Sequence, residues 1–195
     1  KYLMRSDPTY LLFPILFLSL MVGCGPTHKM YFKPQAEKGA IFKEACGGQA
    51  GASNGIMFDE KKVKLWFTMA LHNPFLLVEI FIKEPSQITF TSTKFVMTVF
   101  GEEKYLQLEK FQVIDDVKIA TRPKKDLPIQ DIIQLQSSTN TVYYLWFPIP
   151  LENQTKFSLT VPPLIINKES VSLPTIHWTQ VEESFLLEKM FLWNC

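Results

Sequence analysis

Apolar and polar residues alternate along most of this chain with a period of two. Val63, Leu65, Phe67, Met69 and Leu71 fall on one side, with Lys64, Trp66, Thr68 and Ala70 on the other. Leu76, Val78, Ile80 and Ile82 repeat the pattern opposite Glu79 and Lys83. Successive side chains of a strand point to opposite faces, so both runs predict half-buried strands. His72-Asn73-Pro74 between them has the composition of a turn. Shorter runs at Ile88 to Thr91, Phe95 to Phe100, Leu106 to Val113 and Val117 to Thr121 predict further strands. Thr121 to Pro128 reads as a loop containing proline and lysine, and the stretch onward to Asn140 has no distinct pattern.

Alternation is clearest in the last third. Tyr143, Leu145, Phe147 and Ile149 share one side; Phe157, Leu159 and Val161 follow, then Leu164 to Ile166, a turn at Asn167 to Ser170, and Val171 to Thr179. Prolines at 148, 150, 162, 163 and 174 exclude long helices and place these segments at edges, ends or bulges of sheets. Val181 to Cys195 fits both helical and strand spacing. A closing strand is the favoured reading, because a helix there would lack a cap and a helical partner. The expected fold is mostly β, an antiparallel β-sandwich. From Val63 onward the body resembles an immunoglobulin-like or related sandwich, although it lacks the signature tryptophan and cysteine spacing.

Composition narrows the function classes. The 195 residues are 47% hydrophobic and 20% charged, enough apolar surface for one packed domain beside a short targeting segment. Setting aside residues 1–23, with Lys1 and Arg5 against Asp7, leaves 18 basic and 18 acidic residues. A neutral body with scattered lysines argues against nucleic acid as a partner. Arg122, Lys124 and Lys125 form the densest basic cluster, read here as a solvated loop.

The N-terminal segment has a different character. Tyr10 to Val22 is an uncharged apolar run of 13 residues preceded by Arg5. It is shorter than the roughly 20 residues a spanning helix needs, and it has the three-part layout of a secretory signal. Leu20-Met21-Val22-Gly23-Cys24-Gly25 resembles the lipobox of bacterial lipoproteins, with Met21 standing where leucine is usual. The resemblance implies that residues 1–23 are a signal peptide and that Cys24 carries diacylglycerol and palmitate. Residues 24–29 would then be a short polar tether, and residues 30–195 a single sandwich domain. Gly25 after the cysteine, in place of aspartate, implies sorting to the outer membrane, on its periplasmic face.

With Cys24 assigned to lipid by that resemblance, Cys46 and Cys195 remain. In an oxidising compartment an even pair invites a disulfide joining the start of the body to the chain end. A catalytic thiol would need a neighbouring histidine, and the spacing provides none. His28, His72 and His177 fall in a tether, a turn and a strand, without the spacing that puts two imidazoles on one metal. Residues 47–55 hold four of the eight glycines but lack the lysine and hydroxyl residue of a phosphate loop, and read as a flexible loop. Asp115 and Asp116 read as a turn, as does Asn153-Gln154-Thr155, which also matches a glycosylation sequon.

Four tryptophans, Trp66, Trp146, Trp178 and Trp193, either fill the space between two sheets or line a ligand groove; the first reading is favoured. No catalytic residue, metal or cofactor is expected. The leading expectation is a non-enzymatic envelope lipoprotein, held at a membrane by its lipid, that binds another envelope protein. The alternative is a carrier of apolar ligand such as lipid in an open β-barrel. An enzyme ranks third, and would require His177 or the Asp115-Asp116 region to meet other polar groups in a cleft.

Overall fold

The central strands of the largest sheet bury one side of their alternating pattern. In β4 (Val63–Ala70) the side chains of Val63, Leu65, Phe67 and Met69 have no exposed surface, and in β5 (Phe75–Ile82) the same holds for Leu76, Val78, Ile80 and Ile82. A third strand, β12 (Thr141–Pro148), buries Leu145 and Phe147. Antiparallel pairing sets these residues in rows across the sheet: Leu65 faces Ile80 and Ile80 faces Tyr143, then Phe67, Val78 and Leu145, then Met69, Leu76 and Phe147. A one-residue slip would turn every one of them to the opposite face, so burial fixes the register.

The computed structural model describes residues 27–43, 52–70, 74–115, 123–137, 140–151 and 153–185. They form strands, with no helix among them. Around β12, β5 and β4 a seven-stranded antiparallel sheet adds β3 (Gly55–Glu60) and β2 (Ala40–Phe42) at one edge. At its other edge it adds β9 (Lys110–Ile114) and β10 (Lys125–Asp126). A five-stranded sheet runs in the order β1 (Thr27–Gln35), β16 (Ile176–Phe185), β13 (Lys156–Thr160), β7 (Phe95–Val99) and β8 (Glu102–Leu106). The third sheet orders β11 (Gln134–Ser137), β6 (Ser86–Phe90), β14 (Leu164–Ile166) and β15 (Glu169–Val171). None of the three closes into a barrel, and the architecture is an antiparallel β-sandwich.

Met30–Glu182 forms one compact unit. Of a second unit only the first three residues of β1 and the last three of β16 are described. Within the main unit one apolar cluster draws on all three sheets. Phe95 of β7 meets Phe147 of β12 with ring centroids 4.4 Å apart, and Phe90 of β6 lies 5.8 Å from Phe95. Trp178 of β16 stacks on Phe157 of β13 at 6.0 Å and 12°. Burying one such side chain fully stabilises by about 1.5–3 kcal/mol, so this cluster is where the sandwich is held together.

The hairpins close through two-residue turns with positive φ at both positions: Lys61 and Lys62 (50° and 72°), Phe100 and Gly101 (51° and 86°), and Asn167 and Lys168 (50° and 72°). That geometry matches the right-handed twist of the flanking strands. The Asn167 side chain reinforces its turn by accepting a hydrogen bond from the Gln87 backbone N–H at 3.0 Å. The Lys61 ammonium pairs with Glu169, and that of Lys62 with Glu84.

Several boundaries differ from the alternation. Leu106 to Val113 is two strands, because residues 107–109 carry the chain from the five-stranded sheet to the seven-stranded one. Val171 to Thr179 is likewise broken: β15 belongs to the third sheet and β16 to the five-stranded one, with Pro174 between. The turn expected over Asn167 to Ser170 is only Asn167 and Lys168, since Glu169 already pairs with Ile166. Within the expected 121–128 loop, Lys125 and Asp126 pair with Val113 and Gln112. The indistinct stretch before Asn140 contains β11. The strand β1 begins at Thr27, within the segment expected as tether.

Ahead of Val63, where the clear alternation begins, the chain already forms β1, β2 and β3. Gly55, expected in a flexible loop, opens β3 beneath the ring of Phe42; a Cβ there would lie 2.2 Å from the Phe42 Cζ. The closing strand is present to Phe185. The signal segment, Cys24, Cys46, His72, Asp116, the run Val117 to Thr121, Trp193 and Cys195 lie outside the described residues.

Candidate functional site

The seven-stranded sheet has a second face, turned away from the apolar cluster, and it is unusually aromatic for an outer face. In β4, β5 and β12 the residues between the buried ones are Lys64, Trp66, Thr68, Phe75, Leu77, Glu79, Phe81, Tyr144 and Trp146, each of them partly buried. Cross-strand pairing organises them. Trp66 faces Glu79, Glu79 faces Tyr144, and Tyr144 faces Gln112 of β9. In the next row Thr68 faces Leu77, Leu77 faces Trp146, and Trp146 faces Lys110. Directly opposed side chains have Cβ atoms about 4.5–5.5 Å apart, so Glu79 is held between an indole and a phenol.

Ring contacts extend the patch in both directions. Phe75 lies 4.8 Å from Trp146 at 52°, and Phe42 of β2 lies 6.0 Å from Trp66 at 47°. The Lys124 Nζ stands 4.0 Å from the Tyr144 ring centroid and 5.6 Å from that of Trp146. Both distances fall within the roughly 6 Å range in which an ammonium is attracted to an aromatic face. The neighbouring edge is closed by a hydrogen bond from the Gln112 Nε2 to the Asp126 Oδ1 at 2.8 Å.

Two features mark this face as chemically unfinished. The Nε1 atoms of Trp66 and Trp146 are buried and have no hydrogen-bond partner among the described residues. An unmet donor of that kind costs about 1–3 kcal/mol relative to a satisfied one. Burial pushes the Glu79 carboxyl above the ordinary carboxylate range, and the Lys124 charge draws it part of the way back. Burial also raises the Tyr144 phenol, with the charge of Glu79 adding to the rise. A carboxylate among flat, partly exposed apolar rings can bind a ligand that offers both an apolar surface and a charged group.

Trp178 does fill the space between sheets, as expected of the tryptophans. Trp66 and Trp146 do not, because each occupies the outward parity of its strand. That parity was visible in the alternation, which sets Trp66 beside Lys64 and Thr68. Lys124 is exposed but is not simply solvated, since it caps two aromatic rings. The contribution of Glu79 was missed; a carboxylate inside the otherwise apolar run Phe75–Ile82 was the available signal.

The other candidates are dispersed. His177 is exposed on β16 opposite Ser158, and shares an open surface hollow with Gln35 and Glu37. His28 lies on β1 and Asp115 is an exposed bend after β9. Asn153, with φ of 67°, is a turn residue as expected. No group of three or more His, Cys, Asp or Glu placed to hold a metal occurs among the described residues.

No known family model matches the chain, and no curated protein does. Among solved structures, a family GH92 inverting mannosidase from Bacteroides thetaiotaomicron is similar over 76% of this chain and 21% of its own, at 10% identity and a TM-score of 0.27. At that score the likeness carries no argument about fold or activity.

Proposed function

We propose that this chain is a non-enzymatic binding module of the bacterial envelope, lipid-anchored through Cys24 at the outer membrane and stapled by a Cys46–Cys195 disulfide. It binds its envelope partner with the outward face of the seven-stranded sheet. The observation that carries the binding half is the row Trp66, Glu79 and Tyr144, flanked by Trp146, with two indole donors unmet. Solvent-facing sheet surfaces ordinarily carry polar residues, and apolar rings concentrated there mark an interaction surface. The anchor rests on the lipobox resemblance at Leu20 to Gly25.

Each half has its own test. Full-length protein grown with an alkynyl palmitate should take up label at Cys24, and Cys24→Ser should lose both the label and sedimentation with membranes. Label retained in that variant overturns the anchor. A photo-crosslinking residue in place of Thr68, on the aromatic face, should give discrete adducts in cells. The same residue in place of exposed Tyr105, on the five-stranded sheet, should not. Absence of adducts from position 68 overturns the binding face.

A further inference from the structure

The aromatic face already holds one cation, and the cation belongs to the chain itself. The Lys124 ammonium sits 4.0 Å over the Tyr144 ring and 5.6 Å from that of Trp146. Trp66 and Tyr144 flank Glu79 in the same cross-strand row, which puts a carboxylate between aromatic walls. Rings on several sides with an acid at the base are what a positively charged, weakly hydrated group requires: the ring faces supply the quadrupole attraction and the carboxylate neutralises the charge.

We infer that Trp66, Glu79, Tyr144 and Trp146 form a receptor for a small organic ammonium group, and that Lys124 is its built-in, displaceable occupant. This rests on the reading of the aromatic face as the binding surface, and names the chemistry of what it takes. Three further observations support it. Lys124 is exposed and precedes the two-residue edge strand β10 without pairing in it, so its side chain leaves without breaking the ladder. The Glu79 carboxylate makes no hydrogen bond among the described residues, and it keeps its acceptor capacity for an incoming cation. Lys110 faces Trp146 across the strands, so an anionic group attached to the ammonium would meet positive charge beside the seat. A zwitterionic head group, ammonium at one end and phosphate at the other, matches that layout.

A tethered occupant competes with free ligand at an effective concentration in the millimolar range, so removing it should uncover the site. The test is calorimetric titration of the full chain in dodecyl maltoside with tetramethylammonium chloride, against matched sodium chloride. Lys124→Ala should bind tetramethylammonium about tenfold more tightly than the natural chain. In the Lys124→Ala background, Glu79→Gln should weaken that binding about tenfold. Phosphocholine should bind Lys124→Ala more tightly than 3,3-dimethylbutanol, its neutral isostere of the choline moiety. Unaltered thermal melting identifies the variants that remain folded, and Trp146→Leu serves as the second disruption if Glu79→Gln does not fold. Failure of Lys124→Ala to gain affinity, indifference to Glu79→Gln, or equal binding of the neutral isostere overturns the inference. Crosslinks from position 68 would persist in that case, because they report the binding face whatever its ligand.

Discussion

The Nζ of Lys124 lies 4.0 Å from the centroid of the Tyr144 ring, on the face of the seven-stranded sheet that turns away from the core. The contact joins a residue next to the edge strand β10 to one on the interior strand β12. It places a positive charge near Glu79, the neighbour of Tyr144 across the strands. An ordinary sandwich face would hold short polar side chains here. This one holds rings around a carboxylate, and its electrostatics can be measured.

Glu79 makes stability depend on pH in a defined direction. Its carboxyl is raised by burial, with Lys124 offsetting part of the rise, so the folded state holds the proton more tightly than the unfolded chain does. By linkage, the stability tied to that proton is fully present below the unfolded value, about 4.3, and is lost as pH rises through the folded value. Glu79→Gln cannot lose it. The variant should match the natural chain in acid and exceed it in denaturant midpoint at neutral pH. Lys124→Ala should move the wild-type loss to higher pH. A Glu79→Gln protein less stable than the natural chain at neutral pH would show the carboxylate to be stabilising and reverse the assignment.

Phe100 is held at a φ of 51° with 91% of its surface exposed, in the turn between β7 and β8. A left-handed conformation costs an ordinary L-residue roughly 1–2 kcal/mol, and asparagine tolerates it better. Since the ring buries almost nothing, Phe100→Asn should raise stability by up to about 1 kcal/mol. Chemical denaturation followed by tryptophan emission measures it. A fall in midpoint for both Phe100→Asn and Phe100→Gly would show that the ring makes a stabilising contact.

The alternation disclosed the strands and their inward sides, because burial of one parity is what the sequence is selected to encode. It revealed β4, β5, β12 and β13 nearly to their ends. It could not tell which sheet a strand joins, which is why Leu106 to Val113 read as one element although residues 107–109 cross between sheets. Short edge strands such as β10 and β11 were illegible for a related reason: pairing of a few residues leaves little periodic trace. The site was half written in the pattern. Trp66 and Trp146 stood on the polar parity, but the general habit of aromatics to fill cores outweighed that position. Lys124 belongs to the site only through the return of the chain beside β9, a long-range fact no local window contains.

Gly55 is required by the close approach of Phe42, whose ring would stand 2.2 Å from an added Cβ. Gly55→Ala must displace that ring, and with it the 6.0 Å contact between Phe42 and Trp66. We expect a loss of about 1–3 kcal/mol, the usual cost of overpacking. In a Phe42→Ala background the clash is gone, so the same change should cost under about 0.5 kcal/mol beyond that background. Equal losses in the two backgrounds would place the strain elsewhere, in the backbone or in another neighbour.

Trp146 and Phe147 are adjacent in β12 and face opposite sides of the sheet, so substitutions at the two should differ sharply in their effect on stability. Phe147 is fully buried and packs 4.4 Å from Phe95 of the five-stranded sheet, bridging the sandwich. Phe147→Ala removes that bridge and opens a cavity, with an expected cost of about 3–5 kcal/mol. Trp146 lies on the outer face, with its Nε1 buried and unpartnered. Trp146→Phe keeps a ring against Phe75 and removes the unmet donor, so its net effect on stability should stay within about 1 kcal/mol. Its effect on binding should be the larger one, because the indole face contacts the seat occupied by Lys124. Equilibrium denaturation of both variants decides the matter: a Trp146→Phe loss as large as that of Phe147→Ala would make Trp146 a core residue and remove the outer face from consideration as a site.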